Sequence, residues 1–474
     1  MLDSNTLVAQ RTFSIEDQDS FARLSGDFNP LHTDALAARR LLFGHAIAHG
    51  AHVVLWALCS AREVLEPTVC LDRLTVQFRR PIPVGALASL VLVRQGPEEL
   101  QFRVGTESGL AAIVTARFKS LGACRPEAVP STPEPRTQPT ELSADQIPDC
   151  HGLLPLGFDA DLADSLLPGW GVVMTSVQLA QLLASSRLVG MHCPGLHSVF
   201  GELSAHFSEG GAEAPEYSVA EWDPRFSRAS IELSSSSLGA KIVAFLRPTP
   251  QDQVLSLDLI GVRPAEFATQ EALVVGGSRG LGETCAKLLA AGGAAVTLTY
   301  SRGESDALRA VQDISAAGGN AQAEQLDVLD NASVARLSRT AAPTHLYYFA
   351  SPFVFGGVAG RFSNDLFRQF CEFYVTGLER LVASLRSRSD ALSVLFNPSS
   401  VAIDEATPAM TEYAAAKSAG EMLCRSLSRS HKGLATHSIR LPRLATDQTR
   451  TLLAFESADP VPVLLAELRR LEDH

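Results

Sequence analysis

Cysteine is scarce in this sequence and is never paired. No two of the eight cysteines form a CxxC motif, and at least ten residues separate each cysteine from the next. This spacing offers neither the ligand pairs of a zinc site nor the framework of a disulfide-rich domain. It is typical of proteins from a reducing compartment, so we expect a cytoplasmic protein without a bound metal.

Basic clusters and long apolar runs are missing as well. The formal net charge is −12, and no Lys/Arg-rich block interrupts the chain, which argues against a nucleic-acid partner. The segment Met1–Thr6 lacks the basic and apolar parts of a signal peptide. The most apolar windows, Ala46–Ala61 and Ala286–Leu298, are short and broken by histidine or glycine, so we expect no membrane span.

The length and two changes in composition divide the chain into three folded segments. A chain of 474 residues exceeds one ordinary domain. Residues 125–148 are rich in Pro, Ser, Thr and Glu and have almost no large apolar side chains, which predicts an extended linker. A second break falls at Val262–Glu266. We therefore expect domains at 1–124, 149–262 and 268–474.

The first two segments look like a degenerate repeat of one helix followed by several strands. The helices are expected at Ile47–Val64 and Val177–Val189. This order predicts α+β structure and is expected of a hotdog fold, in which a sheet wraps around a central helix. Two hotdogs in one chain would share a continuous sheet and bury the edges that a single copy exposes. The strands are expected at Leu71–Phe78, Leu87–Arg94, Leu110–Phe118, Leu196–Phe207, Tyr217–Trp222, Ala229–Ser234 and Lys241–Leu246.

The third segment begins with a strand, a glycine-rich loop, a helix and another strand. The strands Ala272–Val275 and Ala295–Thr299 flank a helix expected at Gly282–Ala291, which predicts a parallel, doubly wound α/β sheet of the Rossmann type. Glycines in such a loop allow the backbone to approach a pyrophosphate at the helix N-terminus. The candidate binding residues of this loop are Gly276, Ser278, Arg279, Gly280, Leu281 and Gly282.

Acid–base side chains follow about 130 residues downstream. Tyr413 and Lys417 are four residues apart, which places them on one face of a helix. The Lys417 charge is expected to lower the pKa of the Tyr413 phenol and so make it a usable proton donor. Ser400 ends an apolar strand thirteen residues before Tyr413.

Together with the glycine loop, these residues resemble the short-chain dehydrogenase/reductase family, in particular its 3-oxoacyl carrier-protein reductases. The resemblance implies that Tyr413 is the general acid, that Lys417 activates it and binds the cofactor ribose, and that Ser400 anchors the substrate carbonyl. It also assigns Asp327, Val328, Ala350 and Thr446 to cofactor contacts.

The charge after the second strand predicts which nicotinamide cofactor binds. That strand ends Tyr300-Ser301-Arg302, without the acidic residue that holds the ribose of NAD(H). Arg279 and Arg302 provide two cations for a 2′-phosphate instead. The sequence therefore predicts NADP(H).

This segment departs from the resembled family at several positions. Tyr348–Ser351 replaces its Asn-Asn-Ala-Gly, and Tyr374 stands where an Asn usually supports the proton relay. Pro442-Arg443 replaces a Pro-Gly, and the last strand is missing, so we expect a shortened sheet. These departures leave an inactive, NADPH-binding domain open.

The N-terminal segment carries a second acid–base pattern. Asp27-Phe28-Asn29-Pro30-Leu31-His32 is followed by Ile47-Ala48-His49-Gly50 at a helix start, and this combination resembles the MaoC-like, (R)-specific enoyl thioester hydratases. The resemblance implies that Asp27 and His32 polarise a water, that Asn29 orders the loop, and that the Gly50 N–H stabilises the thioester oxyanion.

The second repeat lacks this pattern. Its histidines, His192, His197 and His206, have no carboxylate at the matching spacing and are expected to be structural or exposed. We interpret residues 149–262 as a non-catalytic half that completes the fold.

The two chemistries share the 3-hydroxyacyl thioester as an intermediate. The sequence thus predicts a bifunctional reductase and dehydratase of fatty acid or polyketide chain processing, acting on acyl carrier protein or coenzyme A thioesters. The β-oxidation direction is one alternative, and a thioester-binding accessory protein with inactive sites is another. A homodimer is left open.

Overall fold

The structure, a computed structural model, describes residues 2–63, 65, 69–120, 138–251, 253, 261–452 and 455–472. The chain divides into two units, one comprising 1–249 with 451–454 and the other 250–450 with 455–474.

The stretch predicted as a linker, 125–148, lies outside the described residues as far as 137. Its remaining part is hydrogen bonded to the second repeat. The N–H of Thr140 donates to the Met191 carbonyl, and the N–H of Leu196 donates to the Thr140 carbonyl. The folded part of the second repeat therefore begins by residue 140, earlier than the boundary expected at 149.

The first half of the N-terminal unit surrounds one buried helix. Its elements are β1 (Leu2–Thr12), α1 (Ile15–Ser25), α2 (Pro30–Thr33), α3 (Ala35–Ala38), α4 (Gly50–Ser60), β2 (Val69–Phe78), β3 (Leu87–Gln95), β4 (Glu99–Thr106) and β5 (Gly109–Ser120).

Local chemistry explains where the helices of this half begin and end. A capping box between Ser14 and Asp17 starts α1, and Gly26 ends it in the left-handed conformation. Helix α4 is apolar on every side and buried, as expected of the helix inside a hotdog. It begins three residues later than predicted because Ile47 and Ala48 are still extended and pair with Pro83 and Ile82.

The second half repeats this arrangement. A capping box of Thr175 and Gln178 starts its central helix, which is buried around its whole circumference. The helix continues as a π-helical turn over Leu188–His192. The elements are β6 (His151–Leu153), α5 (Ala160–Leu166), α6 (Trp170–Val173), α7 (Ser176–Arg187), β7 (Ser198–Phe207), β8 (Glu216–Asp223), β9 (Arg228–Ser235) and β10 (Leu238–Leu246).

The two halves share one ten-stranded sheet, in the order β1-β3-β4-β5-β2-β7-β10-β9-β8-β6. The order of the second five strands mirrors that of the first five. Strands β2 and β7 join the halves through antiparallel pairing from Arg73 opposite His206 to Gln77 opposite Glu202. The predicted double hotdog is thus the observed fold, and each half covers a strand edge that the other would expose.

The C-terminal unit alternates strands and helices. A π-helical turn, Glu372–Gly377, lies between α11 and α12. The elements are β11 (Glu271–Val275), α8 (Gly280–Ala291), β12 (Ala295–Tyr300), α9 (Glu304–Ala316), β13 (Asn320–Gln325), α10 (Asn331–Thr340), β14 (His345–Tyr348), α11 (Asn364–Cys371), α12 (Leu378–Arg386), β15 (Val394–Phe396), β16 (Ser399–Ser400), α13 (Ala402–Glu405), α14 (Thr411–Ser430), β17 (Ala435–His437), β18 (Arg440–Leu441) and α15 (Pro460–Glu472).

Six of these strands form a parallel sheet in the order β13-β12-β11-β14-β15-β17. This is the doubly wound Rossmann order, which confirms the predicted fold class. One core contains Val274, Leu288 and Leu298, and the other contains Leu273, Leu346 and Leu381. Within the described residues this sheet has no seventh strand, and the last element is α15, whose leucines join the first of these cores.

None of the helices in the described parts of the chain combines the length and the apolar character needed to cross a membrane.

Candidate active sites

The loop after α1 brings Asp27 and His32 together in the first half. The left-handed Gly26 turns the chain out of α1, and Asn29 caps the short helix α2, which carries His32. Asp27 is buried with 3% of its surface exposed. Burial raises the pKa of the Asp27 carboxyl, and the neighbouring His32 opposes that shift.

Hydrogen bonds orient both oxygens of Asp27. The hydroxyl of Ser186 donates to Oδ2 at 2.7 Å, and the N–H of Asn29 donates to Oδ1 at 3.3 Å. The Arg187 guanidinium lies nearby, donates to the Ser25 carbonyl, and lowers the pKa of Asp27 by its charge.

His32 has one ring nitrogen fixed and the other available. Its Nδ1 lies 2.9 Å from the carbonyl oxygen of Ile47, and since a carbonyl only accepts, Nδ1 carries the hydrogen. Nε2 is then the acceptor nitrogen of the neutral ring. Burial lowers the pKa of His32, and Asp27 opposes this. The lowered pKa of His32 favours the neutral imidazole beside the Asp27 carboxyl group.

His49 stands beside this pair and was not predicted as a site residue. Ligand atoms of Asp27, His32 and His49 lie within 4.8 Å of one another, which is a separation that a metal ion could bridge. However, His49 Nδ1 lies 2.9 Å from Gln18 Oε1 and Nε2 lies 3.0 Å from the Asp27 carbonyl. Both ring nitrogens of His49 are therefore within hydrogen-bond distance of protein oxygens.

Asn29 binds the loop to the second half. Its Nδ2 donates to the carbonyls of Gly190, Gly195 and Leu196 at 3.0 to 3.2 Å. Gly190 also touches Asp27, because a Cβ built on it would lie 2.0 Å from Oδ1. The second half therefore shapes the surroundings of Asp27 directly, through residues that no local motif indicated.

The histidines of the second half lie elsewhere. His197 is buried and pairs with Glu141 at 3.0 Å, and His206 is exposed on β7. His192 lies beside the ring of Tyr217 at 6.4 Å.

Gly50 is the first residue of α4, as the resemblance requires for an oxyanion site. The first N–H groups of a helix have no acceptor within it and point outward with the positive end of the helix dipole. A Cβ on Gly50 would lie 2.8 Å from Cζ of Phe78, so only glycine fits here without a shift of the aromatic ring.

The glycine loop of the C-terminal unit has the shape that a pyrophosphate needs. Gly276 has a φ of +75°, and a Cβ there would lie 3.0 Å from the Ala350 nitrogen. Gly280 begins α8 with a φ of +56°, and a Cβ on Gly282 would lie 2.2 Å from the Gly276 carbonyl oxygen. At Gly276 and Gly282 the loop leaves no room for a Cβ atom. The resulting cradle at the helix N-terminus fits a dinucleotide.

Two of the other expected cofactor residues, Thr446 and Ala350, lie beside this cradle. Thr446 lies 3.8 Å from the Cβ position of Gly280, and Ala350 contacts Gly276 across the loop. Asp327 and Val328 follow β13; Asp327 accepts from the N–H of Leu329 at 2.9 Å, and the Val328 carbonyl accepts from Arg380 at 2.8 Å.

The remaining cofactor-binding candidates differ in exposure. Ser278 is buried in the loop, and Arg279 is half-buried as the residue before α8. Leu281 is half-buried against the core beneath. Arg302 is exposed just past the end of β12. At this position the chain has no acidic residue, which predicts binding of the 2′-phosphate of NADP(H).

Ser400, Tyr413 and Lys417 come together at the ends of β16 and α14. A side-chain hydrogen bond joins Ser400 to Tyr413. Lys417 is buried, its Nζ donates to the Pro398 carbonyl at 2.8 Å, and it lies 5.9 Å from the centre of the Tyr413 ring. Burial lowers the pKa of Lys417 to about 8.

The expected effect of Lys417 on Tyr413 needs correction. Burial raises the pKa of Tyr413, and the contribution that opposes it is the hydrogen bond from Ser400 rather than the Lys417 charge. The sequence spacing places the two side chains on one helix face. The spacing does not show that the Lys417 ammonium is hydrogen bonded to the Pro398 carbonyl or that this ammonium is buried away from water.

Tyr374 fills the space beside these residues. Its ring centre lies 4.1 Å from Lys417 Nζ and 5.8 Å from the Tyr413 ring. Its hydroxyl oxygen lies 2.6 Å from Oγ of Ser351. The two departures noted in the sequence, at Ser351 and at Tyr374, therefore contact each other.

Two family descriptions match this chain. A MaoC-like domain matches residues 4–114, and the short-chain dehydrogenase family matches residues 270–458. Among curated proteins, a short-chain dehydrogenase/reductase homolog of Bacillus subtilis, YusS, is 42% identical over 74 residues, which are 16% of this chain and 68% of that protein.

Solved structures resemble the reductase part of the chain. A short-chain dehydrogenase from Burkholderia cenocepacia in complex with NADP is 24% identical, with 43% of this chain and 91% of that chain covered and a TM-score of 0.37. A blue fluorescent protein from a metagenomic library in complex with NADPH is 26% identical, with 39% and 78% covered and a TM-score of 0.35.

Proposed function

We propose, from the premise that this chain belongs to the short-chain dehydrogenase/reductase family and carries a MaoC-like domain ahead of it, that it reduces 3-oxoacyl thioesters with NADPH and dehydrates the 3-hydroxyacyl products. The observation that carries the proposal is that the chain brings together two acid–base sets. Ser400, Tyr413 and Lys417 suit the first reaction, and Asp27 and His32 suit the second.

In the reductase site the chain supplies the proton and fixes the carbonyl. Ser400 donates a hydrogen bond to the substrate carbonyl oxygen, and Tyr413 gives its phenolic proton to the same oxygen as negative charge develops there. The phenolate left behind is stabilised by the hydrogen bond from Ser400 and, at longer range, by the positive charge of Lys417. NADPH, when bound, supplies the hydride.

The residues of the loop support a dinucleotide with a 2′-phosphate. The Gly276–Gly282 cradle accepts the pyrophosphate, while Arg279 and the exposed Arg302 are the cations for the extra phosphate. The nearest carboxylate after β12 is Glu304, which begins α9 and is hydrogen bonded to Tyr300. We therefore assign NADP(H) rather than NAD(H).

In the hydratase site Asp27 and His32 act as an acid–base pair around one water. For dehydration, one of them removes the α-proton of the 3-hydroxyacyl thioester and the other protonates the departing hydroxyl. Hydration reverses both transfers. The N–H of Gly50 holds the thioester oxygen, whose negative charge grows in the enolate-like transition state.

The two reactions in sequence convert a 3-oxoacyl thioester to a 2-enoyl thioester. With NADPH as reductant this is the biosynthetic direction, as in fatty acid or polyketide assembly, and the thioester is carried by acyl carrier protein or coenzyme A. We place the reaction in the cytoplasm.

The test combines both activities on one substrate. The purified chain is mixed with NADPH and 3-oxobutanoyl-coenzyme A, and NADPH absorbance and the products are followed. We expect NADPH consumption and then an enoyl product. Reaction only from the enoyl thioester with NADP⁺ would support the β-oxidation direction. Thioester binding with neither reduction nor dehydration would indicate an accessory protein with inactive sites.

A further inference from the structure

Tyr374 is a buried residue beside the reductase chemistry, and the proposed mechanism does not use it. It lies in the π-helical turn Glu372–Gly377 and has 1% of its surface exposed. Phe370 stacks on one side of its ring at 5.9 Å, and Tyr413 meets it edge-on at 5.8 Å. The ring therefore has a single packed orientation.

The face of this ring lies against the Lys417 ammonium. Nζ is 4.1 Å from the ring centre, well inside the range in which a cation is attracted to the electron-rich face of an aromatic ring. Because Lys417 is buried, water competes little for the ammonium, and the attraction is stronger than on a surface.

The Tyr374 hydroxyl fixes the ring in this position. Ser351 donates its hydroxyl hydrogen to the Pro352 carbonyl at 2.9 Å. In the 2.6 Å contact between the two hydroxyls, Tyr374 is therefore the donor and Ser351 the acceptor. This chain of hydrogen bonds ends on a carbonyl, which cannot pass a proton on.

We propose that Tyr374 is a positioning residue of the reductase, which holds the Lys417 ammonium in its charged form through the face of its ring while Ser351 holds the ring. The inference rests on the proposed function for its catalytic meaning. It also explains why Tyr374 and Ser351 depart from the resembled family together, because the Ser351 hydroxyl accepts the hydrogen bond that holds the Tyr374 ring in place.

The groups that face Lys417 determine the sign of the effect. Tyr374 and Tyr413 contact it, the Pro398 carbonyl accepts its hydrogen bond, and Glu421 and Cys424 follow on its own helix. Glu421 is itself engaged by Arg440 and Ser399. Burial lowers the pKa of Lys417 to about 8. Loss of the ring removes a stabilisation of the cation and lowers this pKa further.

The experiment measures the Lys417 titration directly. The chain has five lysines, so ¹³C-lysine labelling gives a simple NMR spectrum in which Lys417→Met identifies the signal. We expect Tyr374→Phe, which keeps the ring, to titrate close to the unmodified protein. We expect Tyr374→Leu to lose about tenfold in proton affinity, a downward shift of about one pH unit.

Fluorinated phenylalanines at position 374 provide a series that keeps the shape of the ring. Each added fluorine withdraws electron density, so the pKa of Lys417 should fall stepwise. If Tyr374→Leu does not fold, this series decides alone. An unchanged Lys417 titration across the series would overturn the inference.

The same variants separate this inference from the proposed function. In the reductase assay, the high-pH limb of the rate should move down together with the Lys417 titration. A chain that turns over no 3-oxoacyl thioester would refute the proposed function, whereas the NMR titration would still show whether the ring holds Lys417.

Discussion

The hydroxyl of Ser186 donates a 2.7 Å hydrogen bond to Oδ2 of Asp27, although the two residues belong to different halves of the double hotdog. Asp27 lies in the loop after α1, and Ser186 lies in the last turn of α7. Both are buried. The half that lacks the Asp-x-Asn-Pro-x-His pattern therefore contributes to the site, beyond completing the sheet.

Ser186→Ala should reduce hydration of a 2-enoyl thioester about 10- to 100-fold, because a hydrogen bond to a buried carboxylate stabilises it by about 1.5–3 kcal/mol. Its neighbour provides the control, since the Ser185 hydroxyl donates to the Leu182 carbonyl of its own helix. Ser185→Ala should leave the rate within about threefold. Equal losses in both variants would show a general defect of α7 rather than a role at Asp27.

This contact also shows what the sequence can and cannot predict about a site. Asp27 and His32 are neighbours in one loop, and Tyr413 and Lys417 in one helix, so short spacings are enough to indicate them. Ser186 is 159 residues away from Asp27. Only the folding of one half against the other brings it there, and a serine in a buried helix carries no signal of its own.

The secondary structure shows the same difference between features with a local sequence signal and features that depend on distant parts of the chain. The apolar central helices and the βαβ start of the reductase were predicted because their patterns are local and strong. Strands β1 and β4 were not, although buried residues alternate with less buried ones along β4. Its polar members, Gln101 and Arg103, dilute the apolar signal, and pairing with β3 and β5 stabilises the strand instead.

Asp27→Asn should abolish hydration and dehydration, with a loss of at least about 100-fold, because the amide neither accepts nor gives the proton. The same variant should gain stability. Burial raises the folded-state pKa of Asp27 above its ordinary 3.8, so the stability is fully present below that ordinary value and is lost as the pH rises through the raised pKa. The gain of the Asn variant in thermal unfolding should therefore be larger at pH 7 than at pH 4. An equal gain at both values would contradict the direction of the pKa shift.

Tyr413→Phe should reduce NADPH consumption with 3-oxoacyl thioesters by about 100- to 10,000-fold, since the hydroxyl that carries the transferable proton is lost. The ring contacts with Phe370 and Tyr374 stay possible, so thermal unfolding and NADPH binding should change little. A rate close to that of the unmodified chain would mean that another group protonates the product.

Arg302→Ala should weaken NADPH binding about 10- to 100-fold and leave NADH binding nearly unchanged, because only NADPH has the 2′-phosphate. Arg339→Ala, at the exposed end of α10, is the matched control for the loss of one surface charge. Binding is measured by the change in cofactor fluorescence. A preference of the unmodified protein for NADH would refute the argument from the missing acid after β12.

The two halves of the hotdog depend on each other through the strands that join them. Strand β2 uses one edge for β5 and the other, from Arg73 to Gln77, for β7. A fragment of residues 1–124 would leave that second edge without a partner, and it would also lack Ser186, Gly190 and the carbonyls that hold Asn29.

Residues 1–262 expressed alone should therefore hydrate a short 2-enoyl thioester, whereas residues 1–124 should misfold or form a homodimer through the β2 edge. Enoyl absorbance measures the activity, and analytical ultracentrifugation measures the mass. Asp27→Asn in the longer fragment is the control, and it should be inactive with an unchanged mass. A monomeric 1–124 fragment with full activity would show that neither the β2–β7 pairing nor the Ser186 contact is needed, since a lone half would then hold Asp27 by itself.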